Sequence, residues 1–256
     1  MISAGCDLGS RTAKAVVMKG NDIIGQAVIP ASTCPGETAK TVIKAALGQA
    51  GLTMEAIETW AGTGYGKRHI PLAEQTFSEI ACHGRGAVWQ HPDVRTLVDI
   101  GGQDAKAVRL DGTGAVSRYD YNDKCATGTG RFLEIIARAL DVKLEELGTL
   151  DRQATRWLKL TSQCVVFAET EIISMVNGGE QVPDIVRAMH RAVAKRAASL
   201  AKSIQVVPRA AMSGGVALNP GMFTALEEAL DTELVRLAHP QINGAIGAAI
   251  LAQETP

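Results

Sequence analysis

Apolar residues recur in short runs near the start of each half of the chain, and turn residues separate these runs. The runs at 2–6 and 15–18 in the first half correspond to those at 96–98 and 107–110 in the second. Short apolar runs bounded by glycine-containing turns are typical of β-strands joined as hairpins. The pattern also predicts a third strand after the turn in each half.

Helical periodicity follows the hairpins in both halves, with apolar residues about every three to four positions. The predicted helices are 38–49, 79–89, 130–140, 164–176, 183–201, 220–230 and 242–252. A further strand is predicted at 209–212. The order β-β-β-α-β-α therefore occurs twice, which predicts an α/β protein with two similar lobes and a cleft between them.

A direct repeat supports this division. Residues 7–16 read DLGSRTAKAV and residues 99–108 read DIGGQDAKAV, so that Asp, Gly, Ala, Lys, Ala and Val coincide in register. We expect the first lobe to comprise residues 1–93 and 243–256, and the second lobe residues 94–242. The final helix is assigned to the first lobe because its glycines and alanines permit close packing after the chain crosses back.

The repeated segment has the chemistry of a phosphate-binding turn. Glycine and serine after a strand expose backbone N–H groups that bind phosphate oxygens, and an acidic residue there can hold Mg²⁺ or a metal-bound water. The catalytic candidates are Asp7 and Asp104. The phosphate-contact candidates are Gly9, Ser10, Arg11, Thr12, Lys14, Asp99, Gly101, Gly102 and Gln103. A single Asp-x-Gly would be an ordinary hairpin, but the lysine shared by both copies favours a paired grip on a polyphosphate.

A third glycine-rich segment lies between the strand at 209–212 and the helix at 220–230. Gly214 and Gly215 at this junction would allow a flat ring to approach the backbone, although a plain β–α turn fits the pattern equally well. Together with the two turns, this junction predicts an adenosine platform. We therefore expect ATP and Mg²⁺ in the cleft.

Composition limits the class of protein without identifying it. The chain has 256 residues, of which 46% are hydrophobic and 21% charged, and its formal net charge is −1. These values are ordinary for a globular protein and give no indication of a nucleic-acid partner or a membrane surface. No apolar stretch is long enough to span a bilayer, and no signal-peptide pattern opens the sequence. We therefore expect a cytoplasmic enzyme.

The odd number of cysteines, in a sequence without a secretion signal, argues against a disulfide framework. No Cys-x-x-Cys pair is present, so a metal site would have to combine cysteines from distant segments or from another chain. Cys6, Cys34 and Cys82 are expected to be buried, unreactive apolar residues.

Cys125 and Cys164 have a different setting, because each precedes the apparent start of a helix. The positive end of a helix dipole lowers the pKa of a thiol and favours an anionic cluster. A 4Fe-4S cluster takes four thiolates, and this chain offers two in suitable positions. A twofold-symmetric dimer would supply all four around one shared cluster.

The layout of the two turns and the glycine junction resembles the superfamily of acetate and sugar kinases, heat-shock chaperone ATPases and actin. That resemblance implies two ribonuclease-H-like lobes with ATP in the cleft. The chain more closely resembles the ATP-dependent activators of 2-hydroxyacyl-CoA dehydratases and the ATPase subunits of benzoyl-CoA reductases. The segments that carry this second resemblance are 7–14, 63–66, 79–87, 99–104, 122–130, 164–169, 213–219 and 244–248.

The closer resemblance implies a homodimer with one 4Fe-4S cluster, ligated by Cys125 and Cys164 of each subunit. It also implies ferredoxin or flavodoxin as electron donor and an iron–sulfur dehydratase or reductase as acceptor. The expected activity is ATP hydrolysis coupled to one-electron transfer at low potential, in anaerobic metabolism. Members of this family commonly carry threonine at the position of Arg11. This chain departs from the family pattern there, so the resemblance gives no role for this arginine.

Two other functions are compatible with the expected fold. A small-molecule kinase would transfer phosphate instead of hydrolysing ATP, and it would have no need for Cys125 and Cys164. An assembly protein of the actin or chaperone type would usually carry large insertions or a peptide-binding domain, which a chain of 256 residues lacks.

Overall fold

The computed structural model describes residues 1–71, 73, 75–162 and 164–255. Gln163, in the segment before Cys164, lies outside these residues, as do Leu72, Glu74 and Pro256 of the predicted first lobe. The described chain forms two mixed β-sheets with helices packed against them.

The first sheet is built on a central strand that pairs differently on its two sides. Its strands are β1 (Ile2–Leu8), β2 (Thr12–Lys19), β3 (Asp22–Pro30), β4 (Thr59–Thr63) and β5 (Gln75–Thr76). They lie in the order β3-β2-β1-β4-β5, in which the first three are antiparallel and β4 and β5 are parallel to β1. The central β1 is almost fully buried, as its apolar sequence predicts.

The second sheet repeats this plan. Its strands are β6 (Thr96–Ile100), β7 (Ala105–Leu110), β8 (Val116–Asn122), β9 (Ala210–Ser213) and β10 (Leu234–Val235). The order β8-β7-β6-β9-β10 corresponds strand by strand to the first sheet, with β6 in the place of β1. The prediction of two similar α/β lobes is thus confirmed, and the two copies of the repeat occupy the same hairpin in each.

In the part of the chain that the structure describes, the α-helices fall within a few residues of the predicted segments, with one addition. They are α1 (Pro35–Ala50), α2 (Glu79–Gln90), α3 (Gly130–Ala139), α4 (Leu147–Arg152), α5 (Val165–Asn177), α6 (Val182–Ser203), α7 (Pro220–Leu230) and α8 (Asn243–Glu254). The short helix α4 was not predicted, because six residues are too few for a clear helical period.

Local chemistry explains where the helices begin. Ser78 accepts a hydrogen bond from the N–H of Ala81 at the start of α2, and Asn219 accepts from Gly221 and Met222 at the start of α7. Such caps stabilise a helix by about 1 kcal/mol. Together they fix two helix ends beside the cleft.

Each lobe has its own hydrophobic core. Ile43 and Trp60 lie in the core of the first lobe, whereas Phe132, Ile136 and Met212 lie in that of the second. Full burial of side chains of this size stabilises the fold by roughly 1.5–3 kcal/mol each. Each sheet, together with the helices that pack on it, therefore forms one lobe with a separate core.

Helix α2 packs against both lobes. Cys82 on one face lies in a buried cluster with Ala61 and Ala248, whereas Ala87 on the other contacts a cluster that includes Leu97 and Val108 of the second sheet. The intervening residues of α2 consequently face the space between the sheets. This arrangement positions part of the site described below.

Helix α8 packs against β1, β4 and α2, although the whole second sheet precedes it in the sequence. A Cβ atom on Gly5 would lie 2.1 Å from the Ala245 oxygen, and one on Gly247 would lie 1.8 Å from the Cys82 oxygen. These backbone contacts explain the small residues of α8. The exact division at residues 93 and 243 stays a prediction.

Among the described residues, no helix combines the length and the apolar character needed to cross a membrane.

Candidate functional site

A cavity of about 420 Å³ lies between the two sheets, where the turns that follow β1 and β6 face each other. It is lined by Asp7, Gly9, Ser10, Arg11, Thr12, Lys14, Tyr65, Glu79, His83, Asp99, Gly101, Gly102, Asp104, Lys106, Gly130, Leu133, Glu134, Leu144, Glu145, Gly214, Gly215, Val216, Leu218, Asn219, Pro220 and Gln241. A volume in this range is typical of a small-molecule site.

The first turn places a carboxylate beside an ammonium group. Asp7 and Lys14 are opposite each other in the β1–β2 ladder, and the Lys14 Nζ lies 3.2 Å from Asp7 Oδ2. The other oxygen, Oδ1, is buried and has no hydrogen-bond partner among the described residues. Gly64, with φ +94°, leaves room for it, since a Cβ there would lie 2.5 Å from Oδ1. This oxygen is suited to contact a bound cation or water.

The second turn has the same geometry. The N–H of Gly101 donates to the backbone carbonyl oxygen of Asp104 at 2.9 Å. In the first turn, the N–H of Gly9 donates to the backbone carbonyl oxygen of Thr12 at 3.1 Å. The backbone positions of Asp104 and Thr12 are therefore equivalent. Only the second turn has a carboxylate at this position.

Lys106 stands opposite Asp99 in the β6–β7 ladder, as Lys14 stands opposite Asp7. Its Nζ is ion-paired with Asp104 and lies 3.6 Å from Asp99 Oδ2 and 3.7 Å from Glu79 Oε2. Burial alone would lower the pKa of Lys106, but the three carboxylates outweigh it and raise that pKa. Lys106 therefore carries a permanent positive charge at the cavity wall.

A buried imidazole connects α2 to the second turn. His83 Nδ1 lies 3.1 Å from Asp99 Oδ1, which also accepts a 2.7 Å hydrogen bond from Ser213 Oγ. Burial raises the pKa of Asp99, but His83, Lys106 and Ser213 together hold it below its usual range. Asp99 is thus an ionised carboxylate that holds His83, Lys106 and Ser213 in position.

Glu79, the first residue of α2, contributes a third acid beside Asp99 and Asp104. Burial raises the pKa of this carboxyl, and Lys106 only partly opposes the effect. The cavity therefore holds acids of unlike proton affinity, Glu79 above its usual pKa and Asp99 below it.

The glycine junction closes another side of the cavity. Gly214 has φ +88°, and a Cβ on it would lie 2.3 Å from the Ile100 oxygen, so only glycine fits there. Asn219 donates toward the Nε2 of the buried His190, at 3.1 Å, while its Oδ1 caps α7. The result is a fixed backbone surface beside the apolar side chain of Leu218.

The structure brings together most of the residues selected from the sequence. The catalytic candidates Asp7 and Asp104 line the cavity, as do Gly214, Gly215 and every phosphate-contact candidate except Gln103. Lys106 was recognised as the lysine that the second copy shares with Lys14, but it was not selected as a site residue. Sequence reasoning missed Glu79 and His83. The positions of Glu79 and His83 depend on how α2 packs between the sheets.

The segment before α3 contains the first of the two selected cysteines. The Cys125 Sγ accepts a 3.3 Å hydrogen bond from Arg196 Nη2, and its loop is fixed by two hydrogen bonds with the side chain of Asn122. Partial burial raises the pKa of this thiol, but Arg196 and Thr127 outweigh burial and lower it. Cys125 therefore ionises more readily than an ordinary cysteine to the thiolate, which is the form that binds metals.

The second selected cysteine, Cys164, is exposed and immediately precedes α5. Val166 and Phe167, in the first turn of that helix, are also exposed. Among the described residues, no group of three or more His, Cys, Asp or Glu side chains could hold a metal ion.

The remaining cysteines differ from one another. Cys6 and Cys82 are buried, as expected, and burial raises the pKa of each to about 12. The expectation that Cys34 is also buried is wrong, because Cys34 is exposed at the residue preceding α1. Its loop position before Pro35 keeps it outside the core.

Comparison with known proteins gives consistent matches over nearly the whole chain. Residues 4–252 match the family described as BadF/BadG/BcrA/BcrD ATPase. The activator of lactoyl-CoA dehydratase from Anaerotignum propionicum is 42% identical over 255 residues, which cover 99% of this chain and 98% of that protein.

Solved structures agree with this match. The activator of the 2-hydroxyisocaproyl-CoA dehydratase from Clostridium difficile, with bound ADPNP, has a TM-score of 0.95 and 39% identity, covering 99% of this chain and 95% of its own. A ROK family glucokinase from Streptomyces griseus, in complex with glucose and AMPPNP, has a TM-score of 0.63 at 14% identity, covering 99% of this chain and all of its own. The latter likeness shows the fold that is shared with sugar kinases.

Proposed function

The chain belongs to the BadF/BadG/BcrA/BcrD ATPase family, and from this we propose that it is an ATP-hydrolysing activator of an iron–sulfur acyl-CoA enzyme. It would pass one electron at low potential to an acceptor of the 2-hydroxyacyl-CoA dehydratase or benzoyl-CoA reductase type. The names of its relatives support this acceptor class. Ferredoxin or flavodoxin would be the electron donor.

One observation carries the nucleotide part of the proposal: both copies of the repeated turn, each with an Asp–Lys pair, line one cavity. Glycine N–H groups and lysines on opposite walls can bind a polyphosphate from two sides. Gly214 and Gly215 would support the adenosine. A kinase of the same fold could use a similar cavity, so hydrolysis has to be measured directly.

Asp7 is the stronger of the two catalytic candidates. Its buried Oδ1 lacks a partner among the described residues, which fits a contact with Mg²⁺ or with a water bound to it. A bound Mg²⁺ would neutralise charge that develops on the phosphates. Asp104, in contrast, is ion-paired with Lys106 and would act by holding that lysine toward a phosphate.

Cys125 and Cys164 are the proposed ligands of one 4Fe-4S cluster shared by two subunits. The lowered pKa of Cys125 favours metal binding, and the exposure of Cys164 fits a ligand that must reach a second chain. The cluster would supply one-electron chemistry when bound. Arg196, next to Cys125, would favour added negative charge at this position.

A continuous backbone path joins the nucleotide turn to the proposed cluster ligand. The oxygens of Gly101 and Gly102 accept hydrogen bonds from the N–H groups of Gly130 and Arg131, both at 2.8 Å. Those residues open α3, and the loop containing Cys125 precedes them directly. Movement of the second turn would therefore shift the start of α3 and the environment of Cys125.

The deciding experiment is anaerobic purification followed by iron analysis, native mass measurement and an ATPase assay. We expect ATP hydrolysis and four irons for every two chains. Cys125→Ser should lose the iron and the visible absorbance of the cluster while the protein still binds ATP. Cys34→Ser is the matched control, because Cys34 is exposed but lies before α1, far along the chain from α3, and it should retain the iron.

An iron-free single subunit from strictly anoxic preparations would contradict the cluster proposal. If that subunit also phosphorylated a sugar or a carboxylate, the kinase alternative would replace it.

A further inference from the structure

An ion pair connects the first phosphate turn to helix α3 across the mouth of the cavity. Arg11 belongs to the β1–β2 turn, and Glu134 belongs to the second turn of α3. The Arg11 Nε lies 3.0 Å from Glu134 Oε1, and Nη2 lies 2.8 Å from Oε2. This two-point geometry fixes the orientation of the guanidinium.

The path of the Arg11 side chain is set by the second turn. A Cβ atom on Gly102 would lie 2.1 Å from Arg11 Cγ, so the arginine passes directly over a residue that has no side chain. Arg11 therefore contacts the turn of one lobe and the helix that follows the turn of the other. Both Arg11 and Glu134 line the nucleotide cavity.

The same pair also borders a second cavity of about 580 Å³, lined further by Arg138, Lys143 and Glu146. Arg11 and Glu134 thus form a partition between two adjoining spaces. A change of partner by Arg11 would open this partition.

Glu134 has a second basic partner that does not depend on Arg11. The Arg131 Nη1 on the same helix lies 2.9 Å from Glu134 Oε2. Loss of Arg11 would therefore leave Glu134 paired. The Arg11 side chain is 45% exposed and that of Glu134 22%, so solvent screens their attraction and exchange of partners has a small energetic cost.

Phosphate is a strong competitor for this arginine. A guanidinium binds phosphate through two parallel hydrogen bonds, and a polyphosphate brings several negative charges near Glu134. We propose that Glu134 and the terminal phosphate of ATP compete for Arg11, so that binding of that phosphate breaks the ion pair between the first turn and α3. The inference rests on the proposed function, because it requires ATP in the cavity.

The test is calorimetric titration of the purified holoprotein with ADP and with ADPNP, a non-hydrolysable analogue that takes the place of ATP in every arm because the protein would hydrolyse ATP during the titration. Glu134→Gln, which removes the competing charge, should bind ATP about three- to fivefold more tightly than wild type. Its affinity for ADP should increase less. Arg11→Thr should lose more affinity for ATP than for ADP. In Arg11→Thr, the further change Glu134→Gln should give a clearly smaller gain in ATP affinity, since only the direct repulsion between Glu134 and the phosphates is then removed.

Glu254→Gln is the matched control, since it removes a carboxylate paired with Arg85 on the outer side of α2 and should leave both affinities unchanged. Glu134→Asp keeps the charge and should not reproduce the gain. Circular dichroism would verify that each variant is folded.

Unchanged ATP affinity in Glu134→Gln, or a gain of equal size with and without Arg11, would overturn the competition while leaving the proposed function intact. Wild-type protein that binds no ATP would instead overturn both.

Discussion

His83 Nδ1 lies 3.1 Å from Asp99 Oδ1, so one imidazole joins the helix between the lobes to the second phosphate turn. Gly244 of α8 is close to the other side of the ring, since a Cβ there would lie 2.9 Å from His83 Nε2 and 3.1 Å from Asp7 Oδ2. His83 therefore lies between the acidic residues of the two turns.

His83→Gln should weaken this junction. Asp99 would keep Ser213 and Lys106 but lose a buried partner, and we expect a loss of about 1–3 kcal/mol in the free energy of unfolding. The kcat for ATP hydrolysis should fall more than KM rises, because the turns lose alignment. Urea unfolding and steady-state ATPase assays measure the two effects. His69→Gln, at an exposed position, should change neither, and equal effects of both variants would refute this role.

Gly247→Ala should disrupt the packing of α8. The added methyl group would lie 1.8 Å from the Cys82 backbone oxygen, and overpacking of this kind costs about 1–3 kcal/mol or more. Gly48→Ala is the contrasting variant, since nothing lies within 4 Å of its Cβ in helix α1. It should stabilise the protein by about 0.5–1 kcal/mol. Thermal denaturation compares them, and similar shifts in Tm would show that the α8 contact is dispensable.

The pH dependence of Cys125 alkylation should reveal the influence of Arg196. In metal-free protein carrying Cys34→Ser and Cys164→Ser, iodoacetamide should react with a midpoint below the usual thiol pKa of about 8.5. Cys6 and Cys82 would not interfere, because burial raises their pKa to about 12. Arg196→Met should move the midpoint to higher pH. Arg152→Met, at an exposed position, should not; an unmoved midpoint in Arg196→Met would argue against the assignment.

Glu79→Gln should change how stability varies with pH. Burial raises the pKa of Glu79 above the unfolded value of about 4.3, so the folded state binds more protons between these two pKa values. The contribution of Glu79 to stability is therefore lost as pH rises through its folded pKa. The variant should gain stability relative to wild type as pH increases above about 4.3. Urea unfolding across this range tests the slope, and a slope that is the same in Glu79→Gln and wild type would contradict the effect of burial on Glu79.

The internal repeat made much of the fold predictable. Because DLGSRTAKAV and DIGGQDAKAV coincide in register, the hairpins, the two acidic turns and their shared lysine could be placed without a structure. The repeat also indicated Lys106, which is equivalent to Lys14 but was not selected. Here the sequence contained more information than the prediction used.

Contacts between distant segments could not be predicted in the same way. The pairs Arg11–Glu134 and His83–Asp99 join positions that share no pattern, and each depends on how one lobe meets α2 or α3. Gln103 was selected from its place in the turn but does not line the cavity. Cys34 was expected in the core, although Pro35 begins α1 at the surface.

The packing of α8 against β1 has a consequence for biosynthesis. The ribosome releases the first sheet before the second, yet the first sheet acquires its α8 contact only after every strand of the second has emerged. The surface around Gly5 and Cys82 therefore stays uncovered until α8 has been synthesised. By that time, the second lobe already has all the segments of its own core. The lobe that is synthesised first is the one that matures last.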